Sequence, residues 1–119
     1  MIRCMFFCGV LFSAVAHADV SGSQLDEVNH LLNFVKNSQC VMTRNGDEHS
    51  GAEGLKHIQR KYDYFRDKIS STEEFIEYSA SKSTMSKKYY TVSCDGKTSI
   101  KTQDWLLEEL KQFRSKNMK

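Results

Sequence analysis

Apolar residues recur along this chain with helical spacing in four places and with strand alternation in two. Leu25, Val28, Leu32 and Val35 follow one another at steps of three, four and three, with Leu31 widening the stripe. This predicts an amphipathic helix opening at Ser21 or Ser23 and running to about Asn37. Ser50 and Glu53 form a capping box ahead of Ala52, Leu55, Ile58, Tyr62, Phe65 and Ile69, which mark a second helix. Ser71 and Glu74 repeat the box before a shorter helix carrying Phe75, Ile76 and Ala80. Thr102 is placed to cap a last helix with Trp105, Leu106, Leu110 and Phe113 on its buried side, ending in a basic tail from Arg114 to Lys119. Between the first two helices, Val41 to Arg44 are β-compatible and meet Asn45-Gly46, the dipeptide that best tolerates the positive φ angles of a tight hairpin. Residues 81 to 88 read as a solvated Ser/Lys/Thr loop. The run Tyr89 to Cys94 then reads as a strand with Tyr90, Val92 and Cys94 inward, turned by Asp95-Gly96. The expected class is α+β: about four helices packed with a small antiparallel sheet, made of a hairpin near 40–48 and the strand 89–94.

The first eighteen residues stand apart. Arg3 is the only charge before Asp19, Met5 to Val15 are apolar but for one Gly and one Ser, and Ala16-His17-Ala18 presents small residues at both specificity positions of a signal peptidase. We expect a signal peptide over 1–18 cleaved after Ala18, a single small globular domain over 19–119, and periplasmic residence. The apolar run is shorter than the ~20 residues a membrane span needs, so no membrane span is expected once the leader is cut. Cys8 is no lipid acceptor, because Phe7 stands where that processing needs a small residue. Export leaves Cys40 and Cys94 from the four cysteines, a single possible intramolecular pair in an oxidising compartment. A structural disulfide is the preferred reading; two buried thiols or a redox pair are the others, and neither Cys sits in a C-x-x-C motif.

Composition narrows the function classes without choosing one. The chain has 119 residues, no Pro, 39% hydrophobic residues and a formal charge of +2, which sets aside collagen-like, coiled-coil, polyproline and highly charged disordered classes. Seventeen Lys and Arg face fifteen Asp and Glu, and one of the basic residues is Arg3 of the leader, so the rest gives no general attraction to nucleic acid.

Several features taken together resemble a known family. Cys40, Arg44-Asn45-Gly46, the spacing from Ala52 through His57 to Lys61 and Tyr62, the helix start Thr72-Glu73-Glu74-Phe75-Ile76, the Ser/Thr-rich loop from Ser83 to Ser86, and Tyr90-x-Val92-x-Cys94 resemble the YfeK-like family of small exported bacterial proteins. The resemblance spans roughly residues 25 to 114 and implies Gram-negative periplasmic residence and a domain without an established function. The family pattern places Ser-Gly ahead of Pro-Tyr, where this chain reads Ser86-Lys87-Lys88-Tyr89-Tyr90. If that Gly serves a turn or a ligand approach, Lys87 puts the role in doubt here.

Candidate chemistry is sparse. His49, Glu53 and His57 lie four apart, as a metal-binding helix face would have them, but His49 precedes the helix cap and Glu53 is committed to it. We assign no metal, no cofactor and no catalytic residue. Ser79-Ala80-Ser81-Lys82 fits S-x-x-K but lacks the companion motifs and the scaffold. Gly96-Lys97-Thr98 lacks the earlier Gly of a phosphate loop. The candidate binding surface is the hairpin tip, Arg44, Asn45 and Gly46, with His49 and His57, where a guanidinium, an amide and backbone N–H groups could grip a carboxylate or sugar. The competing structural reading has Asn-Gly simply making the turn and Arg44 pairing with an acidic helix residue. Off the stripes, Tyr64 and Tyr78 are expected at the surface. The leading functional expectation is a non-enzymatic periplasmic module binding an envelope protein or cell-wall component. The alternatives are a small envelope hydrolase using His49 or His57, and a metal-binding protein.

Overall fold

The computed structural model describes residues 19–117; the expected signal peptide over 1–18 lies outside them. The described elements are α1 (Ser23–Asn37), β1 (Val41–Arg44), β2 (Asp47–His49), α2 (Gly51–Phe65), a 3-10 turn (Arg66–Lys68), α3 (Thr72–Ala80), β3 (Thr91–Ser93), β4 (Ile100–Lys101) and α4 (Thr102–Asn117). The class is α+β, with four helices and one four-stranded antiparallel sheet ordered β2-β1-β3-β4. Asn45 at φ 53° and Gly46 at φ 85° make the hairpin turn between β1 and β2, as the dipeptide predicts. β1 also pairs with β3 in the register Val41↔Ser93, Met42↔Val92 and Thr43↔Thr91. One step further along that ladder, Cys40 and Cys94 are joined by a disulfide with their Cα atoms 4.2 Å apart.

The core lies where the inner faces of the helices meet the sheet. Val28, Leu31 and Val35 of α1, Ile58 and Tyr62 of α2, Phe75 and Ile76 of α3, Leu106 and Leu110 of α4, and Met42 and Val92 of the sheet are all buried. Several positions depart from the apolar pattern, each for a local reason. In α1 the cap is Gly22 at φ 60° rather than a serine, and Leu25 is exposed while Glu27 is buried. The Glu27 carboxylate goes inward because it accepts hydrogen bonds from Thr72 Oγ1 (2.6 Å), Arg114 Nε (2.8 Å) and Arg114 Nη2 (3.0 Å). Arg114 also reaches Glu73 at 2.7 Å, so one guanidinium ties α1, α3 and α4 together and holds both carboxyls below their usual range.

In α2 the inward face is Gly51, Gly54, Ile58 and Tyr62, and Ala52 is exposed. Gly51 is demanded by proximity, since a Cβ there would collide with the rigid Val35 carbonyl oxygen; a Cβ on Gly54 would press on the Met42 thioether, which can shift. The helix does not continue to Ile69. It tightens into the 3-10 turn at Arg66, whose guanidinium is held by Asp19 (2.9 Å), and Ile69, in extended conformation, is still fully buried. The second capping box is half formed. Ser71 Oγ accepts from Glu74 N–H, but the Glu74 carboxylate accepts from Ser70 N–H and Oγ–H instead of Ser71 N–H.

Thr102 begins α4 with its hydroxyl buried and unpartnered, and Trp105 and Phe113 are half-buried, Phe113 stacked on His30 at 4.1 Å. The strand around residues 89–94 is shortened to Thr91–Ser93, and β4, which pairs Thr91↔Lys101 and Val92↔Ile100, is an addition that its two residues do not advertise. Tyr64 is 81% exposed, whereas Tyr78 is half-buried against Phe65. The loop before β3 is less solvated than its composition implies. Ser81 and Ser83 are buried, Lys82 bridges to Tyr89, and Lys87 sits at φ 65°.

Three outcomes follow from this packing. Gly51→Ala has a rigid backbone oxygen to displace, and overpacking of this kind costs roughly 1–3 kcal/mol against a helix-propensity gain below about 1 kcal/mol; denaturant unfolding reads the net loss. Arg114→Leu strands the Glu27 carboxylate and lowers stability by about 2–3 kcal/mol in the same assay. Lys87→Gly relieves a left-handed residue and raises the melting temperature, a gain of about 0.5–1 kcal/mol.

Candidate functional site

The hairpin bends β2 back over the first turns of α2, and the space between them is a cleft of about 300 Å³. Met42, Ile58 and Gly54 form its apolar floor; Thr43, Arg44, His49, Glu53, Lys56, His57, Arg60 and Tyr90 complete its wall. Of the five sequence candidates, the structure brings Arg44, His49 and His57 together here. Asn45 and Gly46 are absent from the lining. They build the turn, and the Asn45 side-chain oxygen accepts a hydrogen bond from Ser86 Oγ at 2.6 Å, tying the hairpin tip to the loop before β3. Arg44 makes no ion pair among the described residues, so the acidic helix partner of the structural reading is not found.

The position of Arg44 follows from strand register. Thr43 faces Thr91 on β3, so the next residues along the two chains are Arg44 and Tyr90, side by side at the cleft wall. Tyr90 is buried to 5% and Arg44 is half-buried, so the guanidinium acts at short range on what lies behind it. His57 and Lys61 project from α2 one turn apart and converge on the Tyr90 hydroxyl. Lys61 Nζ donates to that oxygen at 3.2 Å and to the Lys82 carbonyl at 2.7 Å. We assign the Tyr90 proton to its bond with His57 Nε2, 2.8 Å away, because the phenol has no other acceptor among the described residues. Nε2 acts as acceptor, and the imidazole carries its proton on Nδ1.

Burial first, then the positive charges of Arg44, Lys61, Arg60 and neighbouring His49, push the His57 pKa down to about 4. Burial also lowers Lys61 and raises Tyr90. At neutral pH the chain is thus ammonium, phenol and neutral imidazole in order. This relay of Lys61, Tyr90 and His57 was beyond sequence reasoning. Its members lie on α2 and beside β3, and the cues were the His57-to-Lys61 spacing on one helix and Tyr90 sharing a strand face with Val92.

The remaining acidic group is occupied. Glu53 Oε1 accepts from Ser50 N–H at 3.0 Å, and Ser50 Oγ accepts from Glu53 N–H, completing the predicted capping box. His49 Nδ1 lies 3.7 Å from that carboxylate, beyond hydrogen-bond length, and its Nε2 is sealed without a partner among the described residues. The cleft wall therefore carries three cationic side chains, Arg44, Lys56 and Arg60, against one carboxylate, Glu53, whose Oε1 is engaged in the helix cap.

Because the folded state holds His57 neutral down to about 4 while an unfolded histidine protonates near 6.5, the unfolded chain binds more protons between these values. Stability should be full above pH 6.5 and fall as pH drops toward 4, by on the order of 2 kcal/mol once partial solvent screening is allowed. His57→Gln should flatten that limb of the denaturation midpoint against pH.

Comparison with known proteins places the chain in a family. The model of a family of unknown function, DUF5329, matches residues 23–114, which takes in every strand and all but the end of α4. The uncharacterized protein YfeK of Salmonella typhimurium strain LT2 is 31% identical over 82 residues, covering 68% of each chain. No solved structure matches. The match contains the whole cleft, from Met42 to Tyr90, and the chain belongs to the DUF5329 family, the YfeK-like proteins of unknown function.

Proposed function

We propose that this protein is an exported periplasmic binding module whose working surface is the cleft between the β1–β2 hairpin and α2. The observation that carries the reading is the convergence of Arg44, His49 and His57 on one concave site with an apolar floor and a guanidinium that makes no ion pair among the described residues. A partly buried cation without a carboxylate partner is costly to hold in a fold for structure alone. The Arg44–Asn45–Gly46 segment then divides its labour, the Asn-Gly pair setting the turn and the Arg facing the ligand.

Export is supported by the apolar leader with its small-x-small exit, and by the Cys40–Cys94 disulfide, which belongs in an oxidising compartment. Among the described residues no helix is long and apolar enough to cross a membrane. The hydrolase alternative calls for His49 or His57 oriented by a carboxylate beside a nucleophile. Here His57 is bonded to a phenol, and Ser50 Oγ is held in the helix cap. Binding is the activity this geometry favours.

Osmotic shock of producing cells should release a species with the mass of Asp19–Lys119 and no thiol that alkylates without reductant. Cytosolic retention with two alkylated thiols contradicts export. A photoreactive residue at Thr43 should capture a ligand or partner that the same residue at Gln112 on α4 does not, and Arg44→Ala should abolish capture. Equal labelling from both positions sinks the cleft assignment.

A further inference from the structure

The hydrogen-bond polarity of the cleft says more than its shape. The Tyr90 hydroxyl spends its proton on His57 Nε2 and its oxygen on Lys61, so the relay exposes no acceptor and leaves His57 Nδ1–H as a donor. Glu53, the one carboxylate in the lining, gives Oε1 to Ser50 N–H. Against it stand three cationic side chains, Arg44 from β1 and Lys56 and Arg60 from α2, with Thr43 and His49 completing the polar lining. A ligand entering here meets positive charge in excess. Neutral polar ligands such as sugars gain nothing from that excess. An acceptor-only anion matches the set, and partial burial strengthens its attraction to Arg44.

Below these donors the floor is apolar, with Met42 and Ile58 buried in the core and Gly54 admitting no side chain without displacing the Met42 thioether. The volume of about 300 Å³ is close to ten waters' share of liquid, which sets a limit of about ten non-hydrogen atoms.

We propose that the cleft binds a small amphiphilic anion, an acceptor-only carboxylate or phosphate head gripped by Arg44 and the Nδ1–H of His57, with a short apolar body lying on Met42, Gly54 and Ile58. This rests on the cleft being a binding site and adds the chemistry of what it binds. Arg60 and Lys56, both exposed, steer the anion inward, so affinity falls as salt rises. The Lys61–Tyr90–His57 relay is a positioning device: through the Tyr90 hydroxyl it holds the buried imidazole in the tautomer that donates into the cleft.

The test uses the oxidised protein and four probes of matched length: octanoate, hexyl phosphate, octanol and octylamine, titrated by calorimetry and followed by amide NMR. Octanoate or hexyl phosphate should move the resonances of Arg44, Gly54 and His57, and whichever of the two binds more tightly identifies the head group. Octanol should bind at least ~10-fold more weakly and octylamine not measurably. Arg44→Gln should weaken the anion at least ~10-fold without lowering the melting temperature, Arg44→Lys should recover part of the loss, and Lys111→Ala on α4, outside the cleft lining, should change nothing. Tyr90→Phe, which frees the imidazole tautomer, should weaken the anion without altering octanol.

Octanol binding the same residues as tightly as octanoate overturns the anionic assignment and leaves a binding cleft for neutral ligands. No shift at the cleft from either anion at millimolar concentration also overturns it. If photocapture from Thr43 still succeeds in that case, the binding-module reading stands without it.

Discussion

The covalent link between Cys40 and Cys94 is the constraint on which the remaining architecture depends. It stands one step beyond the Val41↔Ser93 pair and so locks the register of β1 against β3 from the end of the ladder. Register is otherwise weakly specified for strands this short, and a slip of one residue would turn Met42 out of the core and Thr43 into it. The bridge spans 54 positions, which in the chain-entropy account contributes about 4 kcal/mol by restricting the unfolded chain. Everything that forms the cleft, from Met42 to Tyr90, lies inside the loop it closes. Arg44 stands beside Tyr90 because the strands are aligned, and Tyr90 meets His57 because α2 is packed onto those strands.

Close packing and ion pairing hold the helices to this frame in different ways. Gly51 lets α2 approach the end of α1 until a side chain would touch the Val35 carbonyl, and Gly54 lets it settle on Met42. Elsewhere Arg114 gathers Glu27 and Glu73, and Asp19 gathers Tyr62 and Arg66. In both clusters each charge finds its opposite. Arg44 differs, since its neighbours in the cleft are other cations and a carboxylate already engaged, and that contrast singles it out from the structural ion pairs.

Those elements whose signal is local were legible in the sequence. The Ser50–Glu53 box and the Asn45-Gly46 turn are short-range devices, and they stand where residue chemistry puts them; of the α2 stripe, Ile58 and Tyr62 are buried as the spacing predicts. The end of α2, the exposure of Ala52 and Leu25 and the burial of Glu27 were not legible, because each is settled by a partner distant in sequence: Asp19 for Arg66, Val35 for Gly51, and Arg114 for Glu27. β4 is two residues long and exists only by pairing with β3. The site divides along the same line. Arg44, His49 and His57 could be named from the hairpin and the helix that follow one another in sequence. Tyr90, whose hydroxyl bonds both His57 and Lys61 of α2, joins the site only through the folded sheet.

The dependence of the cleft on the cross-link can be read at one atom. Titrate His57 by imidazole NMR in the oxidised protein and again after reduction of Cys40–Cys94 in the absence of any ligand. With the strands aligned, burial and the facing cations keep this histidine neutral down to about 4. Loss of the bridge should free β1 from β3 and return the midpoint toward the ordinary value near 6.5. A reduced protein whose His57 still titrates near 4 would show that the cleft assembles without the bridge, contrary to this account.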